Sequence, residues 1–423
     1  MNTLAKNITE IRLAHGERIF IAPMRTKDVV SFEGSVFGGS NMLPRQQSQV
    51  PMLAIELLDA GTKTKTKEVI RGTLAARGAT LSFSAGGDRM YFTGACLPED
   101  LPIILKIVAE CLTEPSLPTK ELSSAKEREL GGFEEEKTHT KVQGGIVLSQ
   151  EIFDSKHVNY ADSTSTKIKG VTSATRTEVA SFAKRLGRGG LVLAITGDVE
   201  VSSATRAVRS ALGKLSDGTI SAPAKKKNEQ SLKSVEKLIR IADKATIDTY
   251  IGTAVPLTNK DDLYLPFVVM LDMLGGHGLS SGHLMRTIRE EQGLTYGIYA
   301  DPYGFGGGAD GAMRIWATFS PDTYKKAVAS TLAEINNFFK KGITDKALAT
   351  KQDEITGRYL VGLSTTRGLA RMLHFIGNED KPLSYIDEYP SLIRALTSKN
   401  VRDAASFVSA DKLTIVAAGT FAK

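Results

Sequence analysis

Cysteine is nearly absent from this chain: Cys96 and Cys111 are the only two in 423 residues. Both stand among apolar neighbours and read as buried free thiols, which leaves no basis for a disulfide-stapled scaffold. Histidine is also sparse, with six residues at His15, His139, His157, His277, His283 and His374. None lies between positions 16 and 138, and no two are four apart, the spacing that sets two imidazoles on one helix face. No apolar run approaches the roughly 20 residues of a membrane-spanning helix. Charge of one sign does not dominate either: 54 Lys and Arg against 47 Asp and Glu give a net charge of +7. The lysines are scattered or gathered in loops (Lys63, Lys65, Lys67; Lys225 to Lys227) with few aromatics between them. That is solvated surface and not a nucleic-acid stripe, with room for affinity toward an acidic partner. The segment Met1 to Glu10 is polar and lacks the apolar core of a secretory signal. A cytoplasmic location is expected, with the periplasm open if a signal has been removed.

What is present is a sequence written twice. Ala180-Ser181-Phe182 returns as Ala405-Ser406-Phe407, an offset of 405 − 180 = 225. A Thr-Ser pair stands eight residues before each, at Thr172-Ser173 and Thr397-Ser398, and an apolar run ending in glycine follows each, Leu191 to Gly197 and Leu413 to Gly419. Thr119 to Lys126 matches Thr344 to Lys351 at the same offset, and Pro98-Glu99-Asp100 has a counterpart at Pro321-Asp322-Thr323. Matches in one order at one offset imply two homologous domains, since solenoid repeats are far shorter.

Periodicity places elements in each copy. Ile11 to Ile21 reads as a hairpin around His15-Gly16, followed by an extended stretch to Phe37. Val50 to Leu58 reads as a buried helix, Met90 to Cys96 as a strand, and Leu101 to Leu112 as a helix with one apolar face. A long polar helix is expected from Thr119 to about Lys137, a short one from Thr175 to Arg185, and a buried strand from Leu191 to Thr196. The segment 216–237, rich in Ser, Gly, Pro and Lys, is the expected linker between a first domain 1–215 and a second 238–423. Beyond it, strands are expected at Thr249 to Val255 and Ala312 to Phe319, with helices at Leu265 to Leu274 and Tyr324 to Phe339. Neighbouring strand pairs suit antiparallel pairing, so each half reads as α+β, an antiparallel sheet packed by helices.

Two stretches then carry a resemblance. The helix around Pro51 to Leu58 is followed by Gly61-Thr62, and the second half contains Arg289-Glu290-Glu291-Gln292-Gly293-Leu294-Thr295-Tyr296. Over essentially the whole chain the pattern resembles the pitrilysin/insulinase-type zinc peptidases, in particular short two-domain members similar to mitochondrial processing peptidase subunits. The resemblance implies a zinc motif His-x-x-Glu-His on the first helix, completed by a distant Glu. Here Met52 stands at the first His, Ile55 at the base and Glu56 at the second His. Glu127 or Glu129 lies near the third ligand, but a lone carboxylate does not hold zinc, and these read as a solvated helix face. No cofactor is therefore expected in this chain.

The second family motif, an Arg followed seven residues later by a Tyr, is kept as Arg289 and Tyr296. A helix Leu284 to Gln292 that stops at Gly293 would bring the phenol back beside the helix end. Guanidinium and phenol can there donate to a substrate carbonyl and to the oxyanion that forms when water attacks it. The competing reading pairs Arg289 with a nearby Glu and makes Tyr296 a core aromatic. Arg286 is a weaker candidate for substrate or partner contact. Gly304, Gly306, Gly307 and Gly308 do not open a helix as a phosphate loop would; they suit a flexible loop or a hairpin connection. His277 and His283 read as loop histidines. The resemblance implies a zinc-free subunit of a heteromeric metallopeptidase, with peptide as substrate and a homologous partner bearing His-x-x-Glu-His and the zinc. The alternatives are a scaffolding subunit akin to the core subunits of respiratory complexes, or a peptide-binding homodimer.

Overall fold

The computed structural model describes residues 3–213, 215–222, 227–230, 233–276, 282–409 and 412–421. The first copy runs β1 (Thr9–Arg12), β2 (Arg18–Pro23), β3 (Val30–Phe37), α1 (Gln49–Glu56), α2 (Lys67–Ala75), β4 (Thr80–Ala85), β5 (Arg89–Cys96), α3 (Leu101–Thr113), α4 (Thr119–Glu136), α5 (Thr140–Ile152), α6 (Thr164–Ser173), α7 (Arg176–Ala183), β6 (Val192–Gly197) and α8 (Val201–Leu212). The second runs β7 (Val235–Arg240), β8 (Ile247–Val255), α9 (Tyr264–Gly275), β9 (Thr295–Tyr303), β10 (Gly311–Phe319), α10 (Tyr324–Asn337), α11 (Asp345–Leu363), α12 (Thr366–Asn378), α13 (Tyr385–Arg394), α14 (Ser398–Ala405) and β11 (Thr414–Gly419). Val235 to Lys237, the end of the expected linker, already belong to a strand.

The two sheets repeat one topology. The order β2-β6-β3-β5-β4 in the first matches β7-β11-β8-β10-β9 in the second, and β1 adds an edge to the first only. Each sheet is antiparallel except at one ladder, β2 with β6 and β7 with β11, which run parallel. The class is α+β, as expected. Capping boxes refine the repeat. Thr175 and Glu178 cap α7, Thr397 and Asn400 cap α14, and 397 − 175 = 222. Strands β6 and β11 share that offset, 414 − 192 = 222. The Ala-Ser-Phe match at 225 is thus three residues out of structural register. That slip is close to one 3.6-residue turn, so it preserves the buried face and escapes notice in the sequence.

Packing divides the chain differently from the repeat. One compact unit comprises 1–133, 165–224 and 358–389; the other comprises 134–164, 225–357 and 390–423. The copies have exchanged a helix. In the first unit α12 covers one sheet face, with Leu369, Leu373 and Ile376 against Phe20, Val192 and Ala194. In the second, α5 does the same, with Leu148, Ile152 and Phe153 against Tyr250, Ala312 and Val416.

On the opposite face of the first sheet, β3 and β5 interlock through glycine. Phe32 pairs with Gly94 and Gly34 with Phe92, so each ring lies over the bare backbone of the facing strand. A Cβ at Gly34 would overlap the Phe92 ring. Both phenylalanines are fully buried, so neither ring can yield without disturbing the core. Gly34→Ala is expected to cost about 1–3 kcal/mol in urea unfolding. Gly131→Ala, on the exposed side of α4 with open space at its Cβ, is expected to stabilise by up to about 1 kcal/mol.

Candidate functional site

Helix α1 carries the positions of the implied zinc motif. Leu53, Ala54 and Ile55 are buried, while Met52 and Glu56, one turn apart, share the half-exposed face. That face is correct for two metal ligands, but its chemistry is not. Met52 offers only a weakly coordinating thioether, and the Glu56 carboxylate is paired with the Arg128 guanidinium of α4. Ile55 is packed inward and has no group to take a proton from water. Glu127 is exposed, and Glu129 is half-buried with a partner of its own. Among the described residues no group of three or more His, Cys, Asp or Glu could hold a metal ion. The residues present do not fit zinc; a salt bridge joins α1 to α4 at the implied metal position. Added zinc is expected to leave the thermal midpoint unchanged and to bind without stoichiometry in dialysis, because no preformed ligand set exists to couple metal to folding.

Cys96 and Cys111 are buried free thiols, as expected, and burial pushes both pKa values up to about 12. Neither can serve as a nucleophile at neutral pH.

Arg289 and Tyr296 are brought together. Residues Met285–Glu291 form a π-helical segment. It ends at Gly293, whose φ of +63° is the left-handed cap that glycine adopts without strain. The Gly293 N–H bonds the Arg289 carbonyl at 3.1 Å, and the Leu294 N–H bonds that of Ile288 at 3.0 Å. Strand β9 then begins as the edge of its sheet. Its register against β10 slips there: Ala317 faces Ile298 and Phe319 faces Thr295, so β9 carries one residue more. This bulge turns Tyr296 outward, leaving it 84% exposed. The Arg289 guanidinium lies over the Tyr296 ring, 5.0 Å from its centroid, and its Nη1 also reaches Met285 Sδ at 3.8 Å.

The competing expectations for this pair do not occur. Glu291 pairs with Arg286, and Arg289 has no carboxylate partner among the described residues. Tyr296 is not a core aromatic. An unpaired guanidinium stacked on an exposed phenol keeps its N–H and O–H donors available to a ligand carbonyl. His283 is not a loop residue: it opens the helix leading to Arg289, half-buried, with Nε2 bonded to Glu334 Oε2 at 2.9 Å. His277, Lys225 and Lys226 lie outside the described residues. The glycine-rich stretch is a hairpin connection between β9 and β10, closed by the Gly306–Ala309 bridge. Positive φ at Gly304, Gly307 and Gly308 supplies its turns. It is fastened, since Asn159 Nδ2 donates to the carbonyls of Gly304 and Asp310 at 3.0 Å each. Sequence spacing missed this clamp because Asn159 lies 145 residues from Gly304.

Comparison with known proteins agrees with this architecture. Residues 52–147 match the family model described as insulinase, peptidase family M16, and residues 173–355 match the one described as peptidase M16 inactive domain. A peptidase M16 inactive domain from Pseudomonas fluorescens superposes with a TM-score of 0.88 at 21% identity, covering 98% of each chain. A protease from Helicobacter pylori gives 0.84 at 13% identity, covering 97% of this chain and 99% of the other. The periplasmic protease PqqL from Escherichia coli gives 0.80 at 13% identity, but the match covers 46% of that longer protein. At these identities the likeness is one of fold. No curated protein matches by sequence. Among the described residues no helix is long and apolar enough to cross a membrane. With both halves matched by its models and the repeated sheet topology in place, the chain belongs to the M16 insulinase family of peptidases, as a member whose first domain lacks the zinc motif.

Proposed function

We propose that this chain is the zinc-free subunit of a heteromeric metalloendopeptidase. A homologous partner supplies His-x-x-Glu-His and the zinc, and this chain supplies Arg289 and Tyr296 to bind a peptide carbonyl and the oxyanion derived from it. One observation carries the reading: the α1 face implied for zinc has no histidine and its carboxylate is spent on Arg128, while the Arg/Tyr pair keeps its donors unspent at a bulged edge strand. Two features support it. Among the described residues the polar contacts of Arg289 are a thioether and an exposed ring, so ion pairing within the fold gives no reason for the pair. The match to under half of a longer protease also fits a need for chain beyond this fold. The chain alone is inactive on this reading, and its complex cleaves peptide.

The test is reconstitution with the partner, followed by substitution of Arg289 and Tyr296. Retained turnover in those variants overturns the shared-site reading, as does peptide cleavage by the isolated chain that follows added zinc.

A further inference from the structure

In the first unit, a cavity of about 300 Å³ opens between α12 and the polar face of β3, β5 and β4. Its sheet wall is hydroxylic. Ser82 Oγ and Thr93 Oγ1 are bonded to each other at 2.9 Å, and Ser31 Oγ is bonded to Thr366 at 2.8 Å. These bonds fix hydroxyl positions before any ligand arrives.

The other wall carries Arg367 and Arg371, one helical turn apart on α12. Both are exposed, and among the described residues neither has a hydrogen-bond or ion-pair partner. The one carboxyl in the cavity is Glu33, on β3. Both arginines act on it through space and lower its pKa, but burial outweighs them and the net shift is upward. One carboxylate cannot neutralise two guanidinium charges, and the cavity is net positive at neutral pH. An unpaired Arg on a helix surface is ordinary. Two at i and i+4, aimed across a hydroxyl-lined cavity, form a receptor for a planar anion, since each guanidinium presents parallel donors matched to a carboxylate.

We propose that this cavity binds the carboxylate of a peptide, gripped by Arg367 and Arg371 and seated on the Ser82–Thr93 hydroxyls. The assignment of the ligand to peptide rests on the peptidase-subunit reading above. The volume sits at the lower end of ligand pockets, so it takes one acidic residue and not a long segment. The chain's net charge of +7 attracts the same class of peptide at longer range. The carboxylate can come from an acidic side chain or from a C-terminus; the chemistry is shared.

The experiment uses the full chain without a partner and three short labelled peptides followed by fluorescence anisotropy. One carries an internal Glu and an amidated C-terminus, one has that Glu replaced by Gln, and one has the Gln with a free C-terminal carboxylate. One of the two acidic peptides is expected to bind about tenfold tighter than the neutral one, and which of them does so identifies the source. The double variant Arg367→Ala, Arg371→Ala should abolish that preference with an unchanged thermal midpoint, because neither side chain bonds within the fold. Glu33→Gln should strengthen the preference by removing the opposing charge, an effect no purely structural role predicts. Equal binding of all three peptides overturns the proposal, as does a folded double variant that keeps the preference. No partner and no cleavage enter the measurement, so failure here leaves the Arg289 test standing, and the reverse holds.

Discussion

Arg289→Ala in the reconstituted complex is expected to lower turnover roughly a hundredfold to a thousandfold, the usual loss on removing one donor from a developing oxyanion. The geometry makes this a clean substitution. Arg289 is half-buried and, among the described residues, bonded only to a thioether at 3.8 Å and stacked on an exposed ring, so thermal stability should fall by no more than about 1 kcal/mol. Tyr296→Phe separates the two functions of the phenol. It keeps the ring under the guanidinium and removes the hydroxyl, so a large loss in this variant assigns the effect to donation and not to stacking. The division between kinetic constants distinguishes further. A fall in kcat at constant KM means that the donors act in the transition state; a rise in KM alone means that they hold substrate and transition state equally. Turnover unchanged in both variants, with the complex intact by mass, removes this chain from the chemistry.

Much of the fold was legible because its elements are strongly patterned. The helix of Leu101 to Thr113 and the strand Arg89–Cys96 lie within a residue or two of their expected limits, since apolar periodicity and turn residues agree there. The Gly293 cap was readable for the same reason: glycine after a helix has a specific conformational cause. Other features had no local signal. Strand β4 alternates exposed and half-buried residues at a sheet edge, and its Ser and Thr content looks like loop. The helix exchange between units is a long-range event, invisible to any window of sequence. The bulge that exposes Tyr296 depends on its register against β10, and the glycine-rich hairpin joining the two strands does not specify that register from sequence. Arg367 and Arg371 carry no motif in the sequence, because only the facing strands give them a cavity to share. The zinc position is the converse case. The missing histidines were evident from the residues alone, but the Arg128–Glu56 pair that joins the helices there came only with the tertiary structure.

The second large effect concerns acid, and it centres on His374, on the buried face of α12. Its Nε2 lies 2.7 Å from Ser35 Oγ, which also accepts a hydrogen bond from Arg89 Nε at 2.7 Å. With that donor fixed, the hydroxyl proton goes to Nε2, and we assign the neutral tautomer with its proton on Nδ1, 3.9 Å from Glu33. The Tyr91 ring closes the site edge-on at 5.7 Å. Burial, with the Arg89 charge behind it, depresses the His374 pKa to about 3. An unfolded His titrates near 6.5. Below that pH the unfolded chain therefore binds a proton that the folded chain refuses, and stability falls by at most about 1.4 kcal/mol per pH unit. The loss is on the order of 3 kcal/mol between pH 6.5 and pH 4. Glu33 acts in the opposite sense, since its raised pKa adds stability as pH falls into the carboxylate range, but its shift is smaller. His374→Gln removes the titrating group and keeps an acceptor for Ser35. Urea unfolding at pH 7, 5.5 and 4.5 should then show a much shallower acid decline in the variant than in the parent chain. Parallel declines would mean that the imidazole is already hydrated or charged in the folded state, and that another group sets the acid limit of this fold.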